Sequence, residues 1–365
     1  HTGCDSRYFN MYSHYDDIGA YNSKESPYFS WYKFINWPDE YHSWWGIKLL
    51  PEVIEEDEGY RNYICGENGI LKKWLRCGIA GYRLDVADEL PDIFLDDLRK
   101  SVKSENENAI IIGEVWEDAT NKFAYGKRRK YLLGEELDSV MNYPFADAIL
   151  NFVRYSNGNA FFNAVLSIIE NYPPQVLNVL MNHIGTHDTE RAITRLAGKN
   201  PDGHDRAWQF EHNTLSEFDY LKGISMMKIA SLIQFTLPGV PSIYYGDEIG
   251  MQGMKDPFNR ACMPWNKPNE ELLKWYKRLG QIRHSSKAFI DGDFEKLYCD
   301  GGVIAYSRNS EGDNILVAIN NSNEQKRIFV GTQWDNSYSL FDEKSVDGFV
   351  NLPPYRYTLL SKKEY

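Results

Sequence analysis

Short apolar runs alternate along the chain with longer stretches in which apolar residues recur every three or four positions, and several of the short runs stop at an acid. Helical patterning over Ile70 to Arg76 precedes a strand ending at Asp85; a helix from Pro91 to Val102 then leads to a strand over Ala109 to Glu114. Val140 to Tyr143 reads as a strand before a helix from Pro144 to Arg154, and Val176 to Met181 as a strand again. Tyr220 to Phe235 reads as a long amphipathic helix, Pro241 to Tyr245 as a strand and Leu272 to His284 as a helix. Repeated strand and helix units predict a parallel sheet with helices outside it. The two ends of the chain differ from this middle. From His1 to Glu58, Tyr, Trp, Ser, Asn and Asp dominate without a sustained period, which predicts an irregular, aromatic lobe. After about Ile290 come short alternating runs, Val303 to Tyr306, Ile315 to Ile319 and Tyr355 to Leu360, separated by turn residues, which predict a small antiparallel β-domain. The expected organisation is therefore 1–58, 59–290 and 291–365.

A run of four to six Ile, Val and Leu residues reads as a strand buried on both faces, so an acid where it stops faces a pocket rather than bulk water. Asp85 closes Gly81-Tyr82-Arg83-Leu84, Glu114 follows Ile112-Gly113, and Asp188 follows Gly185-Thr186-His187. In a parallel barrel the carboxyl ends of all strands share one rim. Retaining cleavage of a glycosidic bond needs one carboxylate as nucleophile and one protonated carboxyl as acid, about 5 Å apart. Three acids at strand ends thus point to a glycosidase.

A formal charge of −12 argues against nucleic acid or an anionic membrane as partner, because both attract basic surfaces. The one basic run, Lys127-Arg128-Arg129-Lys130, is read as a solvated face. Aromatics make up 15% of the chain, with 25 Tyr and 10 Trp, an excess that suits stacking on the flat faces of sugars as well as core packing. Five cysteines without a C-x-x-C pair fit free thiols in a reducing compartment, and so the cytoplasm. No uninterrupted apolar run reaches the length of a membrane span. The chain opens on His1 without an initiator Met, which leaves secretion undecided and makes a longer gene product the expectation. His183 and His187, four apart on a strand-to-loop segment, do not share a face and are not read as a zinc pair.

These segments resemble the α-amylase superfamily of glycoside hydrolases, and within it the neopullulanase, cyclomaltodextrinase and maltogenic amylase branch. Gly81-Tyr82-Arg83-Leu84-Asp85-Val86-Ala87, Gly113-Glu114-Val115-Trp116, His187-Asp188 with Thr189-Glu190-Arg191, and Tyr244-Tyr245-Gly246-Asp247-Glu248-Ile249-Gly250 look like four family signatures, in the family's order. The resemblance implies a TIM-type (β/α)8 barrel with an inserted lobe and a C-terminal antiparallel β-sandwich domain. It places barrel strands one to three before His1, missing from this chain, leaving the strands that end at Asp85 and Tyr245 with open edges; this segment alone is then expected to be catalytically impaired.

The same resemblance implies Asp85 as nucleophile, Glu114 as acid and then base, and Asp188 as the carboxylate that stabilises the transition state by binding sugar hydroxyls. The chemistry agrees: the acid has to hold its proton near neutral pH, which neighbouring anions favour, and Arg83, on the same strand face as Asp85, supplies compensating charge. His1 and His187 look like the histidines that donate to the sugar being cleaved. Asp256 and Arg260 look like a pair that contacts the next sugar outward, and Trp116 is placed on the leaving-group side. The expected reaction is retaining hydrolysis of α-1,4-glucosidic bonds, extending to α-1,6 bonds, in maltooligosaccharide, cyclodextrin, pullulan or starch. The alternatives are a transglycosylase or isomerase of the superfamily, and a sugar-binding relative without catalysis. No cofactor is expected, structural calcium finds no support in the residues present, and assembly as a homodimer is admitted. Asp88-Glu89 departs from the Lys and His that calcium-dependent animal and fungal amylases tend to have there and is closer to the Asn-Glu of the neopullulanase type, whereas Leu49-Leu50-Pro51-Glu52-Val53 departs from the Met-Pro-Lys-Leu of many neopullulanases.

Overall fold

The computed structural model describes residues 1–341, 345–346 and 348–362, so the last three residues of the expected 291–365 domain lie outside the described ones. The chain forms two compact units, one of His1–Glu114 with Ala119–Asp138, the other of Val115–Asp118 with Ser139–Tyr365.

The first unit begins with the expected aromatic lobe. Its pairing is limited to a short hairpin of β1 (Phe34–Asn36) and β2 (Glu40–Tyr41) and the isolated bridges Tyr32–Val53 and Ser43–Pro51, and side chains supply much of its order. Phe9, fully buried, packs face to face on Phe34 at 5.9 Å and edge-on to Tyr32 at 5.0 Å and Tyr41 at 4.7 Å. Much of the aromatic excess is therefore core. Helices α1 (Glu58–Cys65) and α2 (Ile70–Arg76) follow, the second with the expected bounds. Next come β3 (Gly81–Leu84), α3 (Asp92–Glu105) and β4 (Ile110–Gly113). Helix α3 starts after Pro91, whose fixed φ of −65° suits a helix entrance, and buries Phe94, Leu95, Leu98 and Val102 along one stripe. Gly81 is required where β3 approaches its neighbour, since a Cβ there would sit 2.0 Å from the carbonyl oxygen of Ile110. The basic run is not uniformly solvated. Lys127 and Arg128 form the exposed strand β6 (Lys127–Arg128) opposite β5 (Phe123–Ala124), but Arg129 is buried 3.2 Å from Asp92, and Lys130 pairs with Asp96 at 3.0 Å.

In the second unit the strand expected over Val140 to Tyr143 is confined to β7 (Ser139–Val140), because Asn142 caps α4 (Tyr143–Tyr155) by accepting from the backbone N–H of Phe145 at 3.2 Å. Helix α5 (Gly158–Asn171), which the pattern reading did not include, follows behind its own Asn157 cap. The strand expected over Val176 to Met181 is instead a helical turn, α6 (Pro174–Leu177), and then β8 (Met181–Asn182). The Pro173-Pro174 pair is suited to the start of a helix and not to a ladder.

Two short helices, α7 (Ala192–Ala197) and α8 (Arg206–Glu211), precede α9 (Glu217–Thr236). Helix α9 is not amphipathic throughout: every residue from Ile229 to Thr236 is buried, and Gln234 is accommodated by donating to the carbonyls of Asn182 at 3.1 Å and Ser242 at 2.8 Å. The strand expected over Pro241 to Tyr245 is only β9 (Val240–Pro241), parallel to β8. Its backbone contact with the β8 segment runs from Val240, whose N–H donates to Leu180 O at 2.8 Å, to Ser242, whose N–H donates to Asn182 O at 2.7 Å.

After α10 (Glu270–Ser285) and α11 (Ala288–Asp291) come the strands of the C-terminal part: β10 (Asp293–Asp300), β11 (Val303–Ser310), β12 (Asp313–Asn320), β13 (Lys326–Phe329), β14 (Ser337–Ser339), β15 (Ser345–Val346), β16 (Phe349–Leu352) and β17 (Arg356–Ser361). An antiparallel sheet in the order β10-β11-β12-β17-β14-β15 packs Val303, Leu316 and Leu360 against Ile328, Val350 and Leu352 of the β13-β16 pair. That is a sandwich core. Among the described residues no helix is long and apolar enough to cross a membrane. All five cysteines are unbridged.

Candidate active site

Strands β3 and β4 run parallel with Gly81 opposite Ile110 and Leu84 opposite Gly113, so Asp85 and Glu114 leave the same end of the pair side by side. Backbone bonds continue past the strands: Glu114 N–H donates to Leu84 at 3.0 Å and Ala87 N–H donates to Glu114 at 3.2 Å. The two acids differ in environment, with the Asp85 side chain 63% exposed and that of Glu114 only 7%. Arg83 bridges them. Its Nη1 donates to Asp85 Oδ1, and its Nη2 lies 3.1 Å from Glu114 Oε2. Glu114 Oε2 also accepts from the backbone N–H of Val86 at 2.8 Å. To present that N–H, Val86 adopts φ 42° and ψ 56°, a left-handed conformation that a β-branched residue avoids and that costs about 1–3 kcal/mol. Strain of this kind directly after Asp85, holding Glu114, marks the turn as built for a task.

His1 lies in the lobe of this unit, its ring stacked on Trp44 at 5.3 Å. Trp44 and Trp45 both donate their indole N–H to Glu89, at 2.9 and 3.0 Å.

In the second unit four expected residues form one chain of contacts. His187 Nε2 is 3.2 Å from Asp188 Oδ2, Arg260 Nη2 is 3.3 Å from Asp188 Oδ1, and Arg260 Nε is 3.4 Å from Asp256 Oδ1. The turn bearing Asp188 is closed locally, Asp188 N–H donating to Thr186 Oγ1 at 3.1 Å and Thr186 N–H to Thr189 Oγ1 at 3.2 Å. It is fastened from behind by Asn259, whose amide donates to the carbonyls of His187 and Thr189, each at 2.7 Å. Arg191, fully buried, donates from Nε to Asn259 O at 2.8 Å and lies over the rings of Tyr244 and Tyr245 at 4.1 and 4.5 Å. Neither Arg191 nor Asn259 takes a role from the sequence, and Arg191 follows the polar residues His187 to Glu190, so nothing local marks it as buried. Trp116, 47% exposed, stacks on Tyr143 at 4.1 Å. It borders a cavity of about 440 Å³ that Asp188, Glu190, Lys199 and Asp202 also line, a size in the range of small-ligand sites.

His183 is buried edge-on to Tyr143 at 4.5 Å, and burial drives its pKa down to about 3, so it is neutral. Asp247 is buried 3.6 Å from Arg191, and burial pushes its carboxyl up to about 7 against the pull of that cation. A raised folded-state value means that the folded chain holds a proton which the unfolded chain releases near 3.8. The associated stability is complete below that value and is lost as pH rises through about 7. Asp247→Asn is therefore expected to gain thermal stability relative to the parent between about pH 5 and about pH 8. A melting-temperature difference that stays constant across that window would show Asp247 to be ionised throughout.

The sequence profile of the α-amylase catalytic domain matches residues 9–337. An amylopullulanase of Thermoanaerobacter thermohydrosulfuricus is 32% identical over 378 residues, covering 91% of this chain and 24% of the relative. A cyclomaltodextrinase of Thermoanaerobacter pseudethanolicus is 33% identical over 321 residues, covering 85% and 50%. The chain thus spans half or less of the length of these curated relatives. Among solved structures, the type III pullulan hydrolase from Thermococcus kodakarensis superposes with a TM-score of 0.80 at 25% identity, covering 99% of this chain and 58% of that one.

Proposed function

This chain belongs to the α-amylase catalytic-domain family, whose fold is a barrel of parallel strands followed by a C-terminal sheet domain, and from that premise we propose that it is a retaining glycoside hydrolase of α-1,4- and α-1,6-glucosidic bonds. The observation that carries the reading is the Arg83 bridge: two acids of unequal exposure at the ends of paired parallel strands, held by one guanidinium. Asp85, exposed and charge-compensated, attacks the anomeric carbon while Glu114 protonates the leaving oxygen. The glucosyl ester on Asp85 is then hydrolysed by a water that Glu114 deprotonates. Asp188 and His187 bind hydroxyls of the sugar being cleaved. Arg260 and Asp256 extend that polar chain to a neighbouring sugar, and Trp116 offers its ring to the leaving-group side.

Maltooligosaccharide, cyclodextrin and pullulan are the substrates this supports, in keeping with the names of the relatives. The two carboxyls and water suffice for the chemistry, so no cofactor is invoked. The five unbridged thiols support a reducing compartment such as the cytoplasm.

Stereochemistry tests the reading directly. Proton NMR of the first turnovers on a maltooligosaccharide, with the natural full-length protein, is expected to show the α-anomer before mutarotation. A β-anomer would mean a single displacement by water and would remove Asp85 from the nucleophile's role.

A further inference from the structure

The strained turn behind Asp85 is held on its upstream side by strand β3, which ends at Leu84. Its own backbone bonds, Glu89 N–H to Val86 O at 3.0 Å and Leu90 N–H to Ala87 O at 3.2 Å, close the turn over Ala87–Glu89. They do not set the left-handed φ of 42° at Val86, on which the N–H given to Glu114 depends. A conformation of this kind persists only where the chain on both sides over-determines it.

The downstream side is held by residues 122–131. Arg129 N–H donates to Lys122 O at 2.9 Å, so the β5-β6 hairpin carries these two residues side by side at its base. Lys122 Nζ is 3.0 Å from Asp88 Oδ2, and the Tyr131 hydroxyl donates to Asp88 Oδ1 at 2.7 Å, so both oxygens of that carboxylate are engaged. The same hydroxyl lies 3.4 Å from Ala87 O. Arg129 donates from Nη2 to Leu90 O, and its guanidinium is aimed by Asp92 at 3.2 Å and by the Tyr131 ring, whose centre is 4.8 Å away. Tyr131 is fully buried; burial first, then the bond to Asp88 and its charge, raise the phenol well above its usual pKa and keep it a donor.

We propose that Tyr131, Lys122 and Arg129 are positioning residues for the hydrolysis: by fixing residues 87–90 they hold Val86 in the conformation that presents its N–H to Glu114. This goes beyond the two-acid reading and rests on it. The hairpin tip has another character, with Phe123, Tyr125, Lys127 and Arg128 all exposed, so the hairpin adds little to the core and its ordered part is the base. A carboxylate at a surface is satisfied by water and a single cation. Asp88 instead takes an ammonium on one oxygen and a buried phenol on the other, which fixes its plane and the backbone that carries it. With the brace released, Val86 relaxes to the right-handed or extended backbone that a β-branched residue favours, and Glu114 loses one of the contacts that aim it. Asp85 keeps its bond to Arg83, so the defect falls on proton transfer to the leaving oxygen.

Tyr131→Phe removes one hydroxyl and keeps the buried ring. In the natural full-length protein it is expected to lower kcat on maltoheptaose about tenfold with KM within about twofold, and to slow cleavage of a glucosyl fluoride, whose leaving group needs no protonation, by less than about twofold. Hydrogen exchange gives a readout that needs no turnover: the Val86 amide is expected to exchange about tenfold faster, with the amides of β3 and β4 unchanged. Lys122→Met, which takes the ammonium from the other oxygen of Asp88, is read in the same way and serves if Tyr131→Phe does not fold. Unchanged kcat or unchanged Val86 exchange in a folded variant would overturn the brace, as would equal losses on the two substrates, the mark of a general loosening. A parent protein that cleaves neither substrate refutes the hydrolase reading instead, and the exchange comparison then decides the brace alone.

Discussion

Asp85→Ala and Glu114→Gln are each expected to lower turnover of a maltooligosaccharide by a factor on the order of 10³ or more, with affinity for the sugar largely kept. Both acids act where a bond breaks and contribute little to ground-state binding, so the loss falls on kcat rather than on KM. The environments of the two separate their defects. Asp85 is open to solvent, and its removal leaves room in front of Arg83 for a small anion. Added azide is therefore expected to restore cleavage in Asp85→Ala by attacking the same face of the sugar, giving a β-glucosyl azide. Glu114 is buried and positioned by Arg83 and the N–H of Val86. Gln in its place keeps that geometry and loses the transferable proton. Substrates whose leaving group needs no protonation, such as a glucosyl fluoride, are expected to recover most of the first step in Glu114→Gln and none in Asp85→Ala. Wild-type turnover in either variant, or identical rescue patterns, would refute the division of roles.

The parts legible in the sequence are those that a hydrophobic period or a local motif encodes. The acids were located because Leu84 and Gly113 end apolar runs, and Arg83 because residues two apart on a strand share a face. Helix α2 was read with its bounds because its apolar spacing has no competing turn signal. The strand placed around Val176 failed for the complementary reason: apolar composition persists there, but Pro173 and Pro174 withhold the N–H groups that a ladder uses. Other features belong to tertiary contacts. Nothing local distinguishes Arg129, buried beside Asp92, from Arg128, exposed one residue earlier. The fastening of the Asp188 turn by Asn259 and Arg191 spans about seventy residues of chain. The left-handed conformations of Val86, Trp45 and Tyr125 leave no trace in composition, since none is a residue that favours positive φ. In a sequence otherwise consistent with its fold, such positions are where function is to be sought.

Arg83→Lys is expected to reduce kcat on the order of 10²-fold while KM changes little, although the charge is conserved. A guanidinium presents its donors as a planar fork, and here two of them are used at once, Nη1 on Asp85 and Nη2 toward Glu114. An ammonium is a point charge on a different stem and cannot reproduce both contacts. Asp85 would keep its charge and lose its fixed direction, and a displacement of the attacking oxygen by about 1 Å costs about two orders of magnitude. Arg83→Met goes further, because it removes the cation together with its contacts to Asp85 and to the buried Glu114 side chain. It is expected to lower both kcat and the melting temperature, whereas Arg83→Lys spares the melting temperature. The pair separates positioning from folding: Arg83 acts through Asp85 and Glu114, so a conservative change should move kcat alone. Steady-state kinetics on maltoheptaose alongside thermal melts decide it, and full kcat in Arg83→Lys would show that the bridge between the two acids has no part in the reaction.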